Sequence, residues 1–279
     1  MRNTIRGMMV LSALASALVL NAQTPGQAPA QTTAPAAAPA AAAPPALSPD
    51  EIVGKYLDAI GGKAAISQVK SISMETSVSV MGNDVPGTTV VVDGVGYRSD
   101  TDFNGTKITS CVNGKGGWQV NPMTGAADPT PMSDDEYKSA RDQIYVGGQL
   151  YDYAAKGNKV ELISSAADGY KVKVTNKDGV DTTYVIDPTT FLIKSTVRKG
   201  QMQGQDVDIT TTYSDYRKTD VGYLMPYAMD LDLGGQFQLS IAIKKADLNK
   251  TIDPAIFEMP KPAAAAPAAA PAAATPKPN

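Results

Sequence analysis

The stretch Ser71-Ile-Ser-Met-Glu-Thr-Ser-Val-Ser-Val80 decides the fold, because apolar and hydroxyl-bearing or charged side chains alternate along it. A period of two puts successive side chains on opposite faces of a strand that is wetted on one side. Similar runs continue to about Ala246, and Asn104-Gly105 and Asn113-Gly114 are dipeptides typical of tight hairpin turns. Because the steps are of hairpin length, the pattern predicts an antiparallel sheet rather than a parallel one.

Two helical segments accompany these strands. Ser48-Pro49-Asp50 is typical of a helix start, and an apolar stripe follows it at helical spacing, formed by Ile52, Val53, Tyr56, Leu57 and Ile60. Ser133 and Glu136 have the spacing of a capping box, which predicts a second helix within the strand region. We therefore expect a mainly β (α+β) fold, in which one large, curved antiparallel sheet of about eleven strands carries short helices on one face.

The start of the chain has the features of a secretory signal peptide. Arg2 and Arg6 precede an apolar run within residues 1–22, and a cleavage position lies between Ala22 and Gln23. The run is too short to span a membrane, and no cysteine stands near the cleavage position to receive a lipid. We therefore expect a periplasmic protein that is exported, cleaved and not lipidated.

Two segments rich in alanine and proline enclose the region of alternating pattern. Residues 23–47 and 261–279 offer no periodic apolar face, so we expect a disordered linker and a disordered tail. These segments could be passive spacers or a stiff tether that reaches a partner. Residues 48–260 remain as one folded domain, and they hold all 28 acidic residues of the chain. An acidic domain of this kind has no electrostatic reason to bind nucleic acid.

The composition excludes several common kinds of active site. The chain has no histidine and one cysteine, which removes Ser-His-Asp, Cys-His and His-zinc sites as well as an internal disulfide. Cys111 lies in a predicted strand and is expected to be a packed thiol rather than a nucleophile. Asp206-x-Asp208 and Asp230-x-Asp232 could form an acid/base pair or a cation site, but a solvated strand face explains them better. We expect no enzymatic activity and no cofactor or metal.

The apolar face of the sheet is the remaining candidate site. These residues could simply form a core under the helices, or they could line a cavity, because a wide sheet with short helices need not fill its concave side. The methionines would suit a cavity that adapts to flexible chains. The candidate cavity residues are Met74, Val78, Val80, Val90, Val92, Tyr97, Phe103, Ile108, Trp118, Val120, Ile144 and Met225.

One segment resembles the signature of a known family. Lys107 to Met123 contains Asn113-Gly114-Lys115, then Trp118, then Asn121-Pro122-Met123, and it is similar to the strand–turn–strand of LolA-type lipoprotein carriers. The order of several further motifs resembles that in the outer membrane lipoprotein-sorting proteins of Bacteroidetes-like bacteria. These motifs are Tyr56 to Lys63, Asp215-Tyr216, Leu224-Met225-Pro226 and Asp253 to Phe257.

The resemblance implies a half-barrel sheet whose helices cover an apolar cavity. It also implies a periplasmic carrier that binds the acyl chains of lipoproteins or other envelope lipids, with membrane transport components as possible partners. The lid-closing arginine of the enterobacterial carriers has no counterpart, since Asp93-Gly94-Val95 stands at the matching place. The alternative is a lipid-sensing or scaffold module of the envelope that is tethered by its Ala/Pro segments and transports nothing.

Overall fold

The structure, a computed structural model, describes residues 44–80, 82–122, 125–202 and 205–260. The expected signal peptide, most of the 23–47 linker and the 261–279 tail lie outside these ranges. Residues 44–47 belong to the expected linker, yet they contact the domain. The Tyr170 hydroxyl donates a hydrogen bond to the Pro45 carbonyl at 2.9 Å, and Leu47 packs against the main core.

Thirteen strands form one antiparallel sheet, two more than the roughly eleven expected. The strands of the first half are β1 (Ser71–Val80), β2 (Asn83–Val92), β3 (Gly96–Phe103), β4 (Thr106–Asn113), β5 (Gly117–Asn121) and β6 (Ala126–Pro131). Those of the second half are β7 (Lys159–Ala166), β8 (Gly169–Thr175), β9 (Asp181–Ile186), β10 (Ile193–Met202), β11 (Gln205–Lys218), β12 (Leu224–Leu233) and β13 (Phe237–Leu248).

Alternation in the sequence does not reveal β6. This strand carries Pro129 and Pro131 and lies at an edge of the sheet, where proline is tolerated because only one side of the strand must pair. The sheet begins in its middle with β1, which pairs with β2 on one side and with β13 on the other. The first half therefore runs outward from β1 to β6, and the second half returns from β7 to β13.

A crossing segment, residues 132–158, connects one edge of the sheet to the other. It contains helix α3 (Asp134–Ala140), a 3₁₀ turn (Arg141–Ile144) and a series of turns up to β7. Two hydrogen bonds between Ser133 and Glu136, at 2.8 and 3.3 Å, form the expected capping box of α3. The capping box predicts this helix but not its place in the fold, where it carries the chain across one face of the sheet.

The main core lies between helices α1 (Pro49–Ala59) and α2 (Gly62–Gln68) and the second half of the sheet. The expected stripe of α1 is buried, and it packs with buried strand residues that include Tyr170, Val172, Val174 and Ile186. At the corner between the helices, Gly61 has a φ of 111° and a Cβ there would overlap the Gly222 carbonyl. Glycine at this corner lets α1 dock on the β11–β12 turn.

A smaller cluster covers the opposite face of β3, β4 and β5. Phe257, from a 3₁₀ turn at Pro254–Phe257, packs with Cys111 and Trp118. The Trp118 indole nitrogen and the Asn113 amide each donate to the Phe257 carbonyl at 3.1 Å. Among the helices of the described ranges, none is long and apolar enough to cross a membrane.

Candidate functional site

A cavity of about 480 Å³ lies between the sheet and the crossing segment, and we call it the main cavity. The sheet face that lines it is called the inner face. Side chains from β1 to β3 and from β9 to β13 share the lining with Ser139 to Gln149 of the crossing segment. Ser110 of β4 and Arg198 of β10 also line one common space beside it, although seven interstrand steps would hold them roughly 34 Å apart in a flat sheet. The sheet is therefore strongly curved, as expected.

One part of the lining is apolar. It lies in the middle of the sheet, on β1, β2, β12 and β13, and we call it the apolar strip. Methionines make up three of its members, and their flexible thioether chains can adapt to ligands of variable shape. The apolar strip consists of Ile72, Met74, Val91, Met225, Met229, Leu231, Ile241 and Ile243.

The neighbouring part of the lining, on β9 to β11, carries hydroxyl groups, and we call it the hydroxyl strip: Thr182, Tyr184, Thr196, Thr211 and Tyr213. The Tyr184 hydroxyl donates to the Gln149 side chain at 2.9 Å. The Thr196 and Tyr213 hydroxyls share a hydrogen bond of 3.2 Å. Burial raises the pKa values of Tyr184 and Tyr213, so both phenols stay neutral at ordinary pH.

Two further spaces adjoin the main cavity. A polar mouth of about 800 Å³ lies between α3 and the ends of β10 and β11, and it shares Ser139, Gln143 and Arg198 with the main cavity. An inner end of about 170 Å³ lies under α1, and Tyr184, Tyr213 and Tyr223 line both it and the main cavity. Together the three spaces lead from a polar opening, past the apolar strip, to the underside of α1.

The crossing segment is bound to both halves of the sheet. On the first half, the Asp93 carboxylate accepts from the Val146 backbone nitrogen at 3.0 Å. On the second half, Arg141 forms an ion pair with Asp178 at 2.9 Å, and both side chains are largely shielded from solvent. The Asp142 carboxylate accepts from Asn176 at 3.0 Å and from Gln149 at 2.7 Å. Polar contacts thus attach the crossing segment to both halves of the sheet.

Three of the twelve candidate residues line the main cavity, namely Met74, Tyr97 and Met225. Four others share the inner face by strand alternation and register but lie outside this lining, namely Val78, Val80, Phe103 and Ile108. Ile144 is buried in the 3₁₀ turn of the crossing segment, where its carbonyl accepts from the Gly94 nitrogen at 2.9 Å.

The remaining four candidates lie on the outer face, opposite to the cavity that the alternating pattern predicts them to line. Val90, Val92, Trp118 and Val120 pack around Phe257 in the smaller cluster. Thr89 and Val91 line the main cavity, so Val90 between them must point away from it. The outer face is apolar here because the segment around Phe257 covers it, and alternation alone cannot tell which of two apolar faces is the inner one.

The sequence pattern does not reveal the hydroxyl strip or Arg198 as part of a cavity. Thr182-x-Tyr184, Thr196-x-Arg198 and Thr211-x-Tyr213 alternate as clearly as the apolar strands do. Their side chains are polar or amphipathic, however, so the pattern reads as a solvated face. In each of the three pairs, the threonine and the residue two positions later point to the same face of the sheet. This shared alternation is the signal that could have identified the pairs as the lining of one cavity.

The acidic pairs of the sequence make simple structural contacts. Asp208 pairs with Lys199 at 2.7 Å, Asp230 accepts from the Ser240 hydroxyl, and Asp232 accepts from the Gly235 nitrogen in a hairpin turn. Within the described ranges, no group of three or more Cys, Asp or Glu side chains is arranged to hold a metal ion. The Cys111 thiol is fully buried, and burial raises its pKa to about 12.

Comparison with solved structures shows what this arrangement is similar to. A LolA superfamily protein from Nitrosomonas europaea has 12% sequence identity and a TM-score of 0.51, with 76% of this chain and 98% of that chain covered. A DUF1329 family protein from Desulfovibrio piger has 14% identity and a TM-score of 0.51, with the same coverage of 76% and 98%. No family model matches the sequence, and no curated protein matches it.

These similarities concern the fold. The chain has the LolA-type fold that the motif around Trp118 suggested, with one open antiparallel sheet and few short helices. At 12–14% identity the resemblance carries no ligand or activity with it.

Proposed function

We propose that this chain is a lipid carrier of the bacterial envelope that holds acyl chains in the main cavity. The observation that carries the proposal is the apolar strip on the inner face, which faces an unfilled space of about 480 Å³. This volume lies within the range of about 300–1,000 Å³ that is typical of small-molecule sites. The LolA-type fold supports the same function, because a LolA superfamily protein is built in the same way.

Such a carrier must remove an acyl chain from water without changing it covalently. Each methylene group that leaves water gains about 0.8 kcal/mol, so an acyl chain is bound by apolar area alone. A chain in a bilayer is already out of water, so its transfer between bilayer and cavity changes little hydrophobic free energy. The protein can therefore take up a lipid from one membrane and release it to another.

The sequence supports a location in the envelope. Arg2, Arg6 and the apolar run that follows them have the order of a secretory signal peptide, and Gln23 is not a lipid attachment site. The envelope lipid, or the lipoprotein acyl chain, would enter through the mouth or under the crossing segment. We place no catalytic step in this function.

Lipid transfer between vesicles tests the proposal. Donor vesicles carry a phospholipid with a fluorescent acyl chain and a quencher, and acceptor vesicles carry neither. Transfer raises the fluorescence, and its rate should rise in proportion to the concentration of the protein. A rate that stays at the protein-free value at every concentration would contradict carrier activity.

The strand β11 offers a matched pair of variants for this assay. Thr211 lines the main cavity, whereas Thr212 is the next residue, is exposed and lies on the outer face. Thr211→Trp should fill the cavity and reduce transfer about tenfold or more, while Thr212→Trp should transfer as the unchanged protein does. Circular dichroism should show that both variants are folded, and Ile241→Phe provides a smaller cavity-filling change.

A further inference from the structure

Arg198 occupies a special place on the inner face. It lies on β10, opposite Thr182 of β9 and Ile209 of β11 in the strand register. It lines both the polar mouth and the main cavity, so its side chain lies where the two spaces meet. A ligand whose chain lies on the apolar strip and whose polar end reaches the mouth would pass this residue.

The other arginines of the described ranges are all paired with a carboxylate. Arg98 contacts Asp100 at 2.8 Å, Arg141 contacts Asp178 at 2.9 Å, and Arg217 contacts Asp215 at 2.9 Å. Arg198 alone among these four has no ion pair and no hydrogen bond within the part of the chain that the structure describes. Its guanidinium group faces the cavity with its donors available.

The surroundings of Arg198 do not neutralise its charge. Burial lowers the pKa of Arg198, and the neighbouring Tyr213 phenol opposes this effect without supplying a carboxylate. The three acids of the mouth are engaged elsewhere, since Asp135 lies 3.6 Å from Lys138, Glu136 accepts from Ser133 at 2.8 Å, and Asp206 interacts electrostatically with Lys199. A partly buried cation without a counter-charge is unfavourable, which makes an anion in the cavity favourable.

We infer that the lipid held in the main cavity is an anionic amphiphile and that Arg198 binds its head group, a carboxylate or a phosphate. The inference rests on the proposed function, because it names the class of lipid that this same cavity would carry. The guanidinium fork matches both oxyanions through two parallel hydrogen bonds. The hydroxyl strip beside Arg198 can donate further hydrogen bonds to the head group, and the apolar strip receives the chain.

Three ligands of equal chain length test the inference on the full chain. Dodecanoate, dodecyl phosphate and dodecan-1-ol compete at pH 8 for the site of a fluorescent fatty acid. Because hydrogen bonds to a charged group are stronger than neutral ones, at least one of the two anions should bind about tenfold or more tightly than the alcohol. The anion that binds with the higher affinity, dodecanoate or dodecyl phosphate, shows whether the site prefers a carboxylate or a phosphate head group.

Three variants test whether the preference for anions over the alcohol depends on the charge of Arg198. Arg198→Gln should bind the anions and the alcohol with nearly equal affinity, and Arg198→Lys should retain part of the preference. Lys194→Gln is the matched control, because Lys194 lies on the same strand, is exposed, donates to the Asp168 carbonyl and lines none of the three spaces. It should keep the preference of the unchanged protein.

The possible outcomes distinguish this inference from the proposed function. Equal binding of the alcohol and both anions by the unchanged protein would overturn the inference and leave lipid binding intact. A preference for anions that persists in Arg198→Gln would overturn it as well. Failure of all three ligands and of the fluorescent fatty acid to bind would contradict the proposed function itself.

Discussion

The carboxylate of Asp93 accepts a hydrogen bond from the backbone nitrogen of Val146 at 3.0 Å, which fastens the crossing segment to the β2–β3 turn. The next residue, Gly94, donates its backbone N–H to the Ile144 carbonyl at 2.9 Å. The Tyr223 hydroxyl donates to the Val146 carbonyl at 3.2 Å, so Val146 is bound from both sides. Asp93, Gly94 and Tyr223 thus hold the crossing segment against the sheet at residues 144–146.

Removal of the hydrogen bond between Asp93 and Val146 should weaken the attachment of the crossing segment to the sheet. Asp93→Ala deletes one hydrogen bond, so we expect a loss of about 1 kcal/mol in the free energy of unfolding. The thermal midpoint should fall by about 2–4 °C, as is typical for a domain of this size. Exchange of a bound fluorescent fatty acid, measured by stopped flow, should become faster.

Asp84→Ala is the control for that change, since Asp84 is exposed at the start of β2. It should leave both the midpoint and the exchange rate unchanged. If Asp93→Ala behaves in the same way, the crossing segment is not fastened at Asp93.

Packing of Phe257 over Gly96 should couple these two residues energetically. A Cβ at Gly96 would overlap the Phe257 ring, which is almost fully buried. Gly96→Ala should cost about 1–3 kcal/mol, the usual range for overpacking. Phe257→Ala should cost about 3–5 kcal/mol. In the double variant the Gly96 substitution should cost little, because the ring that it strikes is gone.

Urea unfolding followed by the fluorescence of Trp118, the only tryptophan, measures these free energies close to the contact. Additive costs in the double variant would show that Phe257 does not lie over Gly96 in solution.

The thiol of Cys111 should be unreactive in the folded protein. Burial raises its pKa to about 12, so almost no thiolate exists at pH 8, and Phe257 covers the sulfur. A chromogenic disulfide reagent should therefore react with the thiol only in denaturant, and more readily in Phe257→Ala than in the unchanged protein. Stoichiometric labelling of the native protein within minutes would contradict this burial.

The buried tyrosines should make the fold sensitive to alkali. Burial raises the pKa of Tyr223 to about 12 and also raises the pKa values of Tyr184 and Tyr216. A raised folded-state pKa means that the native state holds its protons more tightly, so stability is constant below the unfolded pKa of about 10 and falls as the pH rises above it. Urea unfolding at pH 8, 9, 10 and 11 should show this decrease.

Tyr184→Phe isolates one of these groups. It should lower stability at pH 8 by about 1 kcal/mol, because the 2.9 Å hydrogen bond to Gln149 is lost. It should also reduce the steepness of the decrease above pH 10, since one ionisable group is gone. An unchanged pH dependence would mean that Tyr184 is exposed to solvent.

The sequence predicts the local elements well because their signals are local. Ser48 and Ser133 cap their helices through a glutamate three residues later, and both contacts are present. The strands follow from alternation. β6 does not, because its two prolines are acceptable only at an edge, and a strand's position in the sheet is a tertiary property.

The candidate site is less predictable, for a physical reason. Alternation gives the period of a strand but not which face is inner, so Val90 and Trp118 are assigned to a cavity that lies on the other side. Arg198 reads as a surface residue, because only the curvature of the sheet and the crossing segment enclose it.

Photo-cross-linking of a bound fatty acid tests the central claim most directly. A hexadecanoic acid with a diazirine near its methyl end is bound to the full chain and irradiated, and the attached residues are identified by mass spectrometry. Attachment should occur on the apolar strip, at residues such as Met225, Met229 and Ile241. Attachment confined to the outer face around Val90 and Trp118, or no specific attachment, would contradict a lipid site in the main cavity.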